Sequence, residues 1–231
     1  MNLTTLQYNH KNDAMFCAPN SLYLQINSMF NSYIHDGIFH EIITLDDIAR
    51  NIGFDKLSGS ILNNKHLSKL SNRINKLNRQ KKLNVPTFTL LFLDNIEFFN
   101  KLEDNKNQIF TICISFSQYY KFLKTKNNYP KYYKNAESFE TDYIQHCFTL
   151  IVYYNDVIKN SKYIIIDPNI ELTSQDIFIN FNEIEQEYND KIICVNSEDV
   201  KKLLTMRYDS LDDDRKIIDM QFESNLSLDV Y

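Results

Sequence analysis

The stretch Phe16–Gln25, "FCAPNSLYLQ", places a cysteine at the start of a strongly amphipathic pattern. Apolar residues recur at helical spacing as far as Tyr33, and Pro19 stands in the first turn, where its missing N–H costs no hydrogen bond. The pattern predicts a helix that begins at Cys17 and runs to about Tyr33. Unpaired main-chain N–H groups and the helix dipole favour negative charge at a helix start. The position therefore favours a thiolate at Cys17.

The composition is that of one globular domain. The chain has 231 residues, of which 43% are apolar and 24% charged, so one well-covered core is expected. The three glycines, Gly37, Gly53 and Gly59, stand apart, which excludes a glycine-rich phosphate loop. The net charge of −5 gives no electrostatic reason to expect nucleic acid as the main partner.

The remaining cysteines differ from Cys17 in their surroundings. Cys113, Cys147 and Cys194 lie in apolar runs and are interpreted as small buried hydrophobic residues. No CxxC or HExxH motif is present, and one Cys, one His and one Asp make a poor zinc site. We therefore expect neither a metal ion nor a cofactor.

The beginning of the chain, "MNLTTLQYNHKND", has no cationic segment followed by an apolar one. No apolar run approaches the roughly 20 residues that span a bilayer. These features predict synthesis in the cytoplasm, no integral membrane segment, and secretion, if it occurs, by a route without a cleavable signal peptide.

The residue pattern of the chain changes at residue 85. Short β-branched and aromatic runs predict a mostly antiparallel sheet: "VPTFTLLFLD", "QIFTICISFS", "HCFTLIVYY", "KYIIID" and "KIICV". The order of helices, then strands, then helices predicts an α+β fold. We expect a catalytic domain over 1–195, with a helical half (1–84) and a sheet half (85–195), and a C-terminal helical extension (196–231) packed on the core.

Two further segments carry predictions of their own. The tyrosine-rich residues 118–143 are interpreted as a long surface connection at the rim of a site. Leu67, Leu70, Ile74 and Leu77 mark an amphipathic helix whose other side is basic. A solvated helix face is the first interpretation of that basic side, and a docking patch for an acidic partner or anionic lipid is the second.

A base and an orienting acid for Cys17 can be sought among the strands. His146 opens the strand "HCFTLIVYY", and the next strand ends at Asp167. A hairpin that turns at residues 155–158 pairs Tyr154 with Lys159 and, by continued counting, His146 with Asp167. On that register the carboxylate orients the imidazole, and the imidazole activates the thiol.

The remaining parts of the site are assigned from position. The Cys17 N–H is one oxyanion donor, and an upstream side-chain amide is the second, with Asn12 preferred over Gln7 and Asn9. Asn169 is the alternative to Asp167 as the orienting residue. The predicted triad is thus Cys17, His146 and Asp167.

The order of these residues resembles that of the papain-like cysteine peptidases: Cys at a helix start, His at a strand start, Asp at the end of the next strand. "IIIDPN" followed by "FINF" is similar to the aspartate segment of the YopT/AvrPphB-type effector proteases, and "CAPNSLYL" resembles the bacteriocin-processing double-glycine peptidases. The resemblance covers roughly residues 12–34 and 145–181. It implies a papain-like fold, with the cysteine helix packed on an antiparallel sheet, and hydrolysis of a peptide or isopeptide bond. It also implies a bacterial effector that acts on a host protein.

Other functions use the same residues. A transglutaminase, another acyltransferase or a deamidase needs the same triad, although the absence of Trp weakens the transglutaminase alternative. A papain-like scaffold that only binds a partner protein is the non-enzymatic alternative. Neither the substrate nor the oligomeric state follows from the sequence.

Overall fold

A computed structural model gives the fold of most of the chain. It describes residues 5–7, 16–34, 38–55, 62–83, 85–125, 145–155, 157, 159–168, 178–180, 192–205 and 215–223.

Six helices and eight strands form the described part of the fold. In chain order they are β1 (Thr5–Gln7), α1 (Cys17–Asn31), α2 (Leu45–Asn51), α3 (Asn64–Lys81), β2 (Phe88–Leu93), α4 (Asn95–Glu103), β3 (Gln108–Ser115), α5 (Phe116–Lys124), β4 (Gln145–Asn155), β5 (Asn160–Ile166), β6 (Phe178–Asn180), β7 (Ile192–Val195), α6 (Ser197–Thr205) and β8 (Lys216–Phe222).

The main sheet has six strands in the order β2-β8-β3-β4-β5-β7, and every neighbouring pair is antiparallel. β1 and β6 form a separate antiparallel pair. The α+β class and the strands in the five apolar runs are confirmed. So is the helix that starts at Cys17, although it ends at Asn31, two residues before the predicted end.

Helices cover both faces of this sheet. One core cluster joins Leu22 of α1, Ile48 of α2 and Leu70 of α3 to inward residues of the strands. The other joins Phe98, Phe122 and Leu203, from α4, α5 and α6, to the opposite face. Successive strand residues point to opposite faces, so Cys147 belongs to the first cluster and Phe148 to the second. The described part is therefore a three-layer arrangement with the sheet in the middle.

Helix α1 is buried along most of its length, and its polar side chains tie it to its neighbours. Residues 18–30 are all buried. The Gln25 Nε2 atom donates to the carbonyl oxygens of Ile109 (2.8 Å) and Ile218 (2.9 Å), which belong to β3 and β8. The Thr149 hydroxyl on β4 donates to the Ser21 carbonyl at 3.3 Å. These bonds fix the helix that carries Cys17 against three central strands.

The end of the chain differs from the prediction. Residues 197–205 form the expected helix, but Lys216–Phe222 form β8, which lies inside the main sheet between β2 and β3. The prediction of a wholly helical extension over 196–231 is therefore wrong for this strand. Ile217 and Ile218 alternate between the two core clusters. This two-sided burial makes "KIIDMQF" a continuous apolar run, which periodicity alone does not distinguish from a helix.

The surface connection predicted over 118–143 is also wrong at its beginning. Helix α5 spans Phe116–Lys124, and its Tyr119, Phe122 and Leu123 are buried in the second core cluster. Apolar residues at positions 116, 119, 120 and 123 follow the helical period, which outweighs the tyrosine content. Residues 126–143 lie outside the described residues.

The hairpin register differs from the predicted one by two residues. Asn155 pairs with Asn160, so Phe148, not His146, lies opposite the position of Asp167. The Asn155 side chain accepts a hydrogen bond from the Val157 N–H (2.9 Å), and Lys159 has a left-handed φ of 49°, so the turn lies one residue later. Because side chains alternate with period two, His146 and Asp167 still share one face.

Candidate active site

Cys17 occupies the first position of α1. The residue before it, Phe16, makes no side-chain cap, so the helix start is open toward the thiol. Phe16 packs edge-on against Phe54, with ring centroids 4.3 Å apart. Cys17 itself is half-buried, and its thiol is not part of a disulfide. It is therefore the member of the predicted triad with the best access to a substrate.

His146 and Asp167 form a buried pair. The ring Nε2 lies 2.9 Å from Asp167 Oδ1, and the two side chains are 2% and 0% exposed. The carboxylate can only accept, so Nε2–H is the donor and Nδ1 is the nitrogen available to Cys17. The structure thus brings His146 and Asp167 together by a diagonal contact on one face, although they are not directly opposite.

The Cys17 thiol and the His146 ring are neighbours that shift each other's pKa through charge and hydrogen bonding. Burial by itself raises the pKa of the Cys17 thiol. The hydrogen bond to His146, the charge of that ring and the main-chain N–H of Cys147 outweigh it, against a smaller opposing effect of the Asp167 charge. The net result is a thiol pKa below its ordinary value, as expected for a nucleophilic cysteine.

The pKa of His146 shifts in the opposite direction from that of Cys17. Burial by itself lowers the pKa of His146, but the charge and hydrogen bond of Asp167, followed by those of Cys17, raise the pKa to about 10. A lowered thiol pKa and a raised imidazole pKa mean that the proton rests on His146. Both shifts favour the thiolate–imidazolium form of the pair, beside the Asp167 carboxylate.

Aromatic rings enclose the histidine. Phe116 meets the His146 ring edge-on at 5.5 Å between centroids, and Tyr119 lies over it at 5.1 Å and stacks on Phe148 at 4.8 Å. Neither of these two α5 residues is predicted from the sequence. The signal that could have found them is the helical spacing of 116, 119, 120 and 123, together with the end of β3 at Ser115, opposite the start of β4.

Cys147 differs from its interpretation as a separate buried thiol. It lies directly opposite Cys113 on β3, and the two form a disulfide. Both side chains are buried, as predicted, at 4% and 1% exposure. The disulfide thus links β4 to β3 at the residue next to His146. The main-chain N–H of Cys147 is also one of the groups that lower the pKa of Cys17. The side chain of Cys194 is not among the described ones.

The predicted second oxyanion donor cannot be placed. Asn12 lies outside the described residues, as do Asn9 and Asn169, the alternative orienting residue. Gln7 is in β1, but its side chain is not described. The Cys17 main-chain N–H, at the first position of α1, remains the donor that the described part of the fold provides.

In the described part of the chain, no group of three or more His, Cys, Asp or Glu residues is arranged to hold a metal ion. None of the described helices has both the length and the apolarity to cross a membrane. A cavity of about 710 Å³ lies at the far ends of the central strands from Cys17, where Met29 of α1 and Tyr33, just after that helix, meet Lys101, Asp219 and Phe222.

Comparison of the chain with protein-family models, with curated proteins and with solved structures finds no match.

Proposed function

We propose that this protein is a papain-like cysteine peptidase, a thiol hydrolase that cleaves a peptide or isopeptide bond in a protein substrate. The observation that carries the proposal is the placement of Cys17 at the start of α1 beside His146, whose Nε2 lies 2.9 Å from Oδ1 of the buried Asp167. The pKa shifts of Cys17 and His146 point to the charged form of the pair, which is the reactive form of such a site.

The chemistry runs in two halves. The Cys17 thiolate attacks the acyl carbon, the C–N bond breaks, and the His146 imidazolium gives its proton to the leaving amine. Neutral His146 then takes a proton from water, whose oxygen attacks the thioester; the C–S bond breaks, the carboxylic acid is released, and Cys17 returns as the thiolate beside protonated His146. Asp167 holds the ring orientation throughout, and the Cys17 N–H, with Asn12 as the proposed second donor, binds the oxyanion.

The layered fold supports the papain-like part of the proposal. A central helix carries the cysteine at its first residue and packs on an antiparallel sheet, and neighbouring strands of that sheet carry the histidine and lead to the aspartate. Phe116 and Tyr119 cover the His146 ring, so water has little access to its contact with Asp167. A low local dielectric strengthens that contact.

Peptide hydrolysis can be tested on a peptide library with mass-spectrometric detection of products. We expect cleavage by the full chain and a loss of about 10³-fold or more in Cys17→Ala and His146→Ala, because either change removes a covalent or proton-transfer role. Asp167→Asn should lose about 10²-fold or more. Cys194→Ala removes another thiol and should retain activity. Cleavage by Cys17→Ala at the wild-type rate would contradict the proposal.

Acyl transfer and deamidation are the enzymatic alternatives. In acyl transfer the same thioester reacts with an amine in place of water. In deamidation the thiolate attacks the side-chain amide of a glutamine in place of a peptide bond. Adding an amine donor to the same assay separates the three reactions. Incorporation of the amine identifies a transferase, a gain of about 1 Da without backbone cleavage identifies a deamidase, and shortened peptides identify a peptidase.

The cellular role follows only from the resemblance to effector proteases. We propose synthesis in the bacterial cytoplasm, delivery into a host cell without a cleavable signal peptide, and a host protein as substrate. The competing proposal is a papain-like binding module that works without chemistry. A biological effect that is unchanged in Cys17→Ala would favour the module, and loss of the effect in that variant would favour the enzyme.

A further inference from the structure

Helix α3 carries a concentration of positive charge that the triad does not use. Residues 64–82 contain seven of the chain's 25 Lys and Arg residues and no Asp or Glu, although the whole chain has a net charge of −5. Lys65, Lys69, Asn72, Lys76 and Arg79 follow one another at spacings of four and three, so they form a single line along the helix. We call these five residues the basic stripe. From Lys65 to Arg79 the stripe is about 21 Å long.

The basic stripe points away from the core and is held rigidly. Leu67, Leu70 and Ile74 on the opposite side are at most 1% exposed. The Ser71 hydroxyl accepts from the Leu90 N–H at 2.9 Å, and the Asn75 side chain makes two hydrogen bonds with the main chain of Phe88. The inner side of α3 is thus fixed to β2, and its outer side is presented as a straight ridge.

The charges at the start of the stripe work against the helix itself. Lys65 stands in the first turn, which has no acidic residue and where a cation opposes the helix dipole. Lys65 and Lys69 are like charges at spacing four, which destabilises a helix by about 0.2–0.5 kcal/mol. Within the described part of the chain no salt bridge joins a stripe residue to an acidic side chain, whereas Arg73 beside the stripe pairs with Asp47 at 3.3 Å. The unfavourable charge is relieved if an external surface supplies the anions.

We propose that the basic stripe docks the protein on an anionic lipid bilayer surface. A protein partner would need apolar or aromatic anchors, and the exposed side of α3 offers Lys, Arg, Ser, Asn and Gln only. A nucleic-acid groove would enclose both flanks of the helix and bring its phosphates against Asp47. A planar bilayer touches only the ridge, and clusters of four or more basic residues along a helix bind such surfaces electrostatically.

The stripe begins on the side of the molecule where the thiol lies. His66, in the first turn of α3, lies under Gly53, at 3.6 Å from the position that a Cβ atom on this glycine would take. The next residue, Phe54, packs on Phe16, the neighbour of Cys17. Docking through Lys65 and Lys69 would therefore bring the helix start of α1 toward the lipid surface without using any residue of the triad.

Vesicle flotation with the full chain tests the proposal at about 0.1 M salt, where exposed charges still act over about 10 Å. We expect binding to phosphatidylcholine vesicles that contain about 30% phosphatidylserine, no binding to pure phosphatidylcholine, and release at about 1 M salt. Binding to both vesicle types, or to neither, would overturn the proposal.

Matched variants locate the binding surface. Lys65→Gln/Lys69→Gln/Lys76→Gln should weaken vesicle binding at least about tenfold, because each basic residue at such a surface contributes about 1 kcal/mol. Lys106→Gln/Lys201→Gln/Lys202→Gln, with the same change in net charge at exposed positions elsewhere, should bind as the wild type does. Equal loss in both would overturn the assignment to α3. Tighter binding to a DNA duplex than to anionic vesicles in the same buffer would overturn the choice of partner.

Discussion

The contact between His146 and Asp167 ties the charge of the candidate site to the stability of the fold. The pKa of His146 is raised to about 10 in the folded protein, from an ordinary value of about 6.5. Its charged form therefore stabilises the fold fully below about pH 6.5, and this contribution is lost as the pH rises through about 10. Both side chains are almost wholly buried, so solvent screens the interaction little.

Urea unfolding can measure this contribution in a Cys17→Ala background, where the thiol no longer titrates. Asp167, the first cause of the upward shift in the pKa of His146, is still present there. Replacing His146 by Gln should remove a stabilisation that is larger at about pH 6 than at about pH 10, by at least about 1.4 kcal/mol, which corresponds to one pKa unit. An equal effect of His146→Gln at the two pH values would show that the pKa of the histidine is not raised.

The predicted pairing of these residues shows what a sequence can give at the residue scale. The alternation of side chains placed His146 and Asp167 on one face, and that is correct. Their direct opposition was wrong, because the turn begins after Asn155, whose side chain bonds the Val157 N–H. Turn geometry at such residues depends on local side-chain bonding that hydrophobic patterns do not record.

At the scale of elements, Gln25 holds the cysteine helix on the sheet. Its Nε2 atom donates to the carbonyl oxygens of Ile109 on β3 and Ile218 on β8. Ile109 lies outside residues 111–113, the part of β3 that pairs with β8. We expect Gln25→Met to lower the free energy of unfolding by about 2–4 kcal/mol, because two buried carbonyl groups lose their donor.

Chemical denaturation of Gln25→Met and wild type measures that loss. Gln80→Met serves as control, since Gln80 lies on the exposed side of α3 and its replacement should change stability by no more than about 0.5 kcal/mol. A Gln25→Met protein as stable as the control would show that the amide is not needed to satisfy the two carbonyls.

The disulfide between Cys113 and Cys147 also acts at this scale, because it joins β3 to β4 beside His146. It closes a segment with a sequence separation of 34, which constrains the unfolded chain by about 3–4 kcal/mol. A reducing agent should lower the urea midpoint of a Cys17→Ala protein accordingly. The double variant Cys113→Ala/Cys147→Ala should not respond to the reductant. Titratable Cys113 and Cys147 thiols before any reductant is added, with a urea midpoint that the reductant does not change, would contradict the pairing.

For the whole molecule, the sequence predicted the layers better than the connections. Five strands and the cysteine helix follow from apolar runs and helical spacing, and they are in place. The sequence of β8 predicts a helix, because both faces of this strand are buried and the alternation typical of a strand is missing. β8 lies between β2 and β3 because it pairs with strands that are more than 100 residues earlier in the sequence. Local sequence patterns do not contain such pairings.

The same limit applies to the candidate site. A cysteine at a helix start is a local feature, and Cys17 was found from its immediate neighbours. The partners of the site, by contrast, come from β4, β5 and α5, and the Phe116 and Tyr119 rings reach His146 only because α5 turns back over the start of β4. Tertiary contacts of this kind set the pKa values on which the proposed chemistry depends.

The central claim is that His146, itself held by Asp167, favours the thiolate form of Cys17. The most direct measurement is the rate of Cys17 alkylation by iodoacetamide as a function of pH, followed by mass spectrometry of the labelled peptide. We predict that wild type reacts with a midpoint below about 8.5, the ordinary thiol value, and that His146→Ala shifts the midpoint above it, because burial alone raises the pKa of Cys17. A wild-type midpoint at or above that value, unchanged in His146→Ala, would contradict the account.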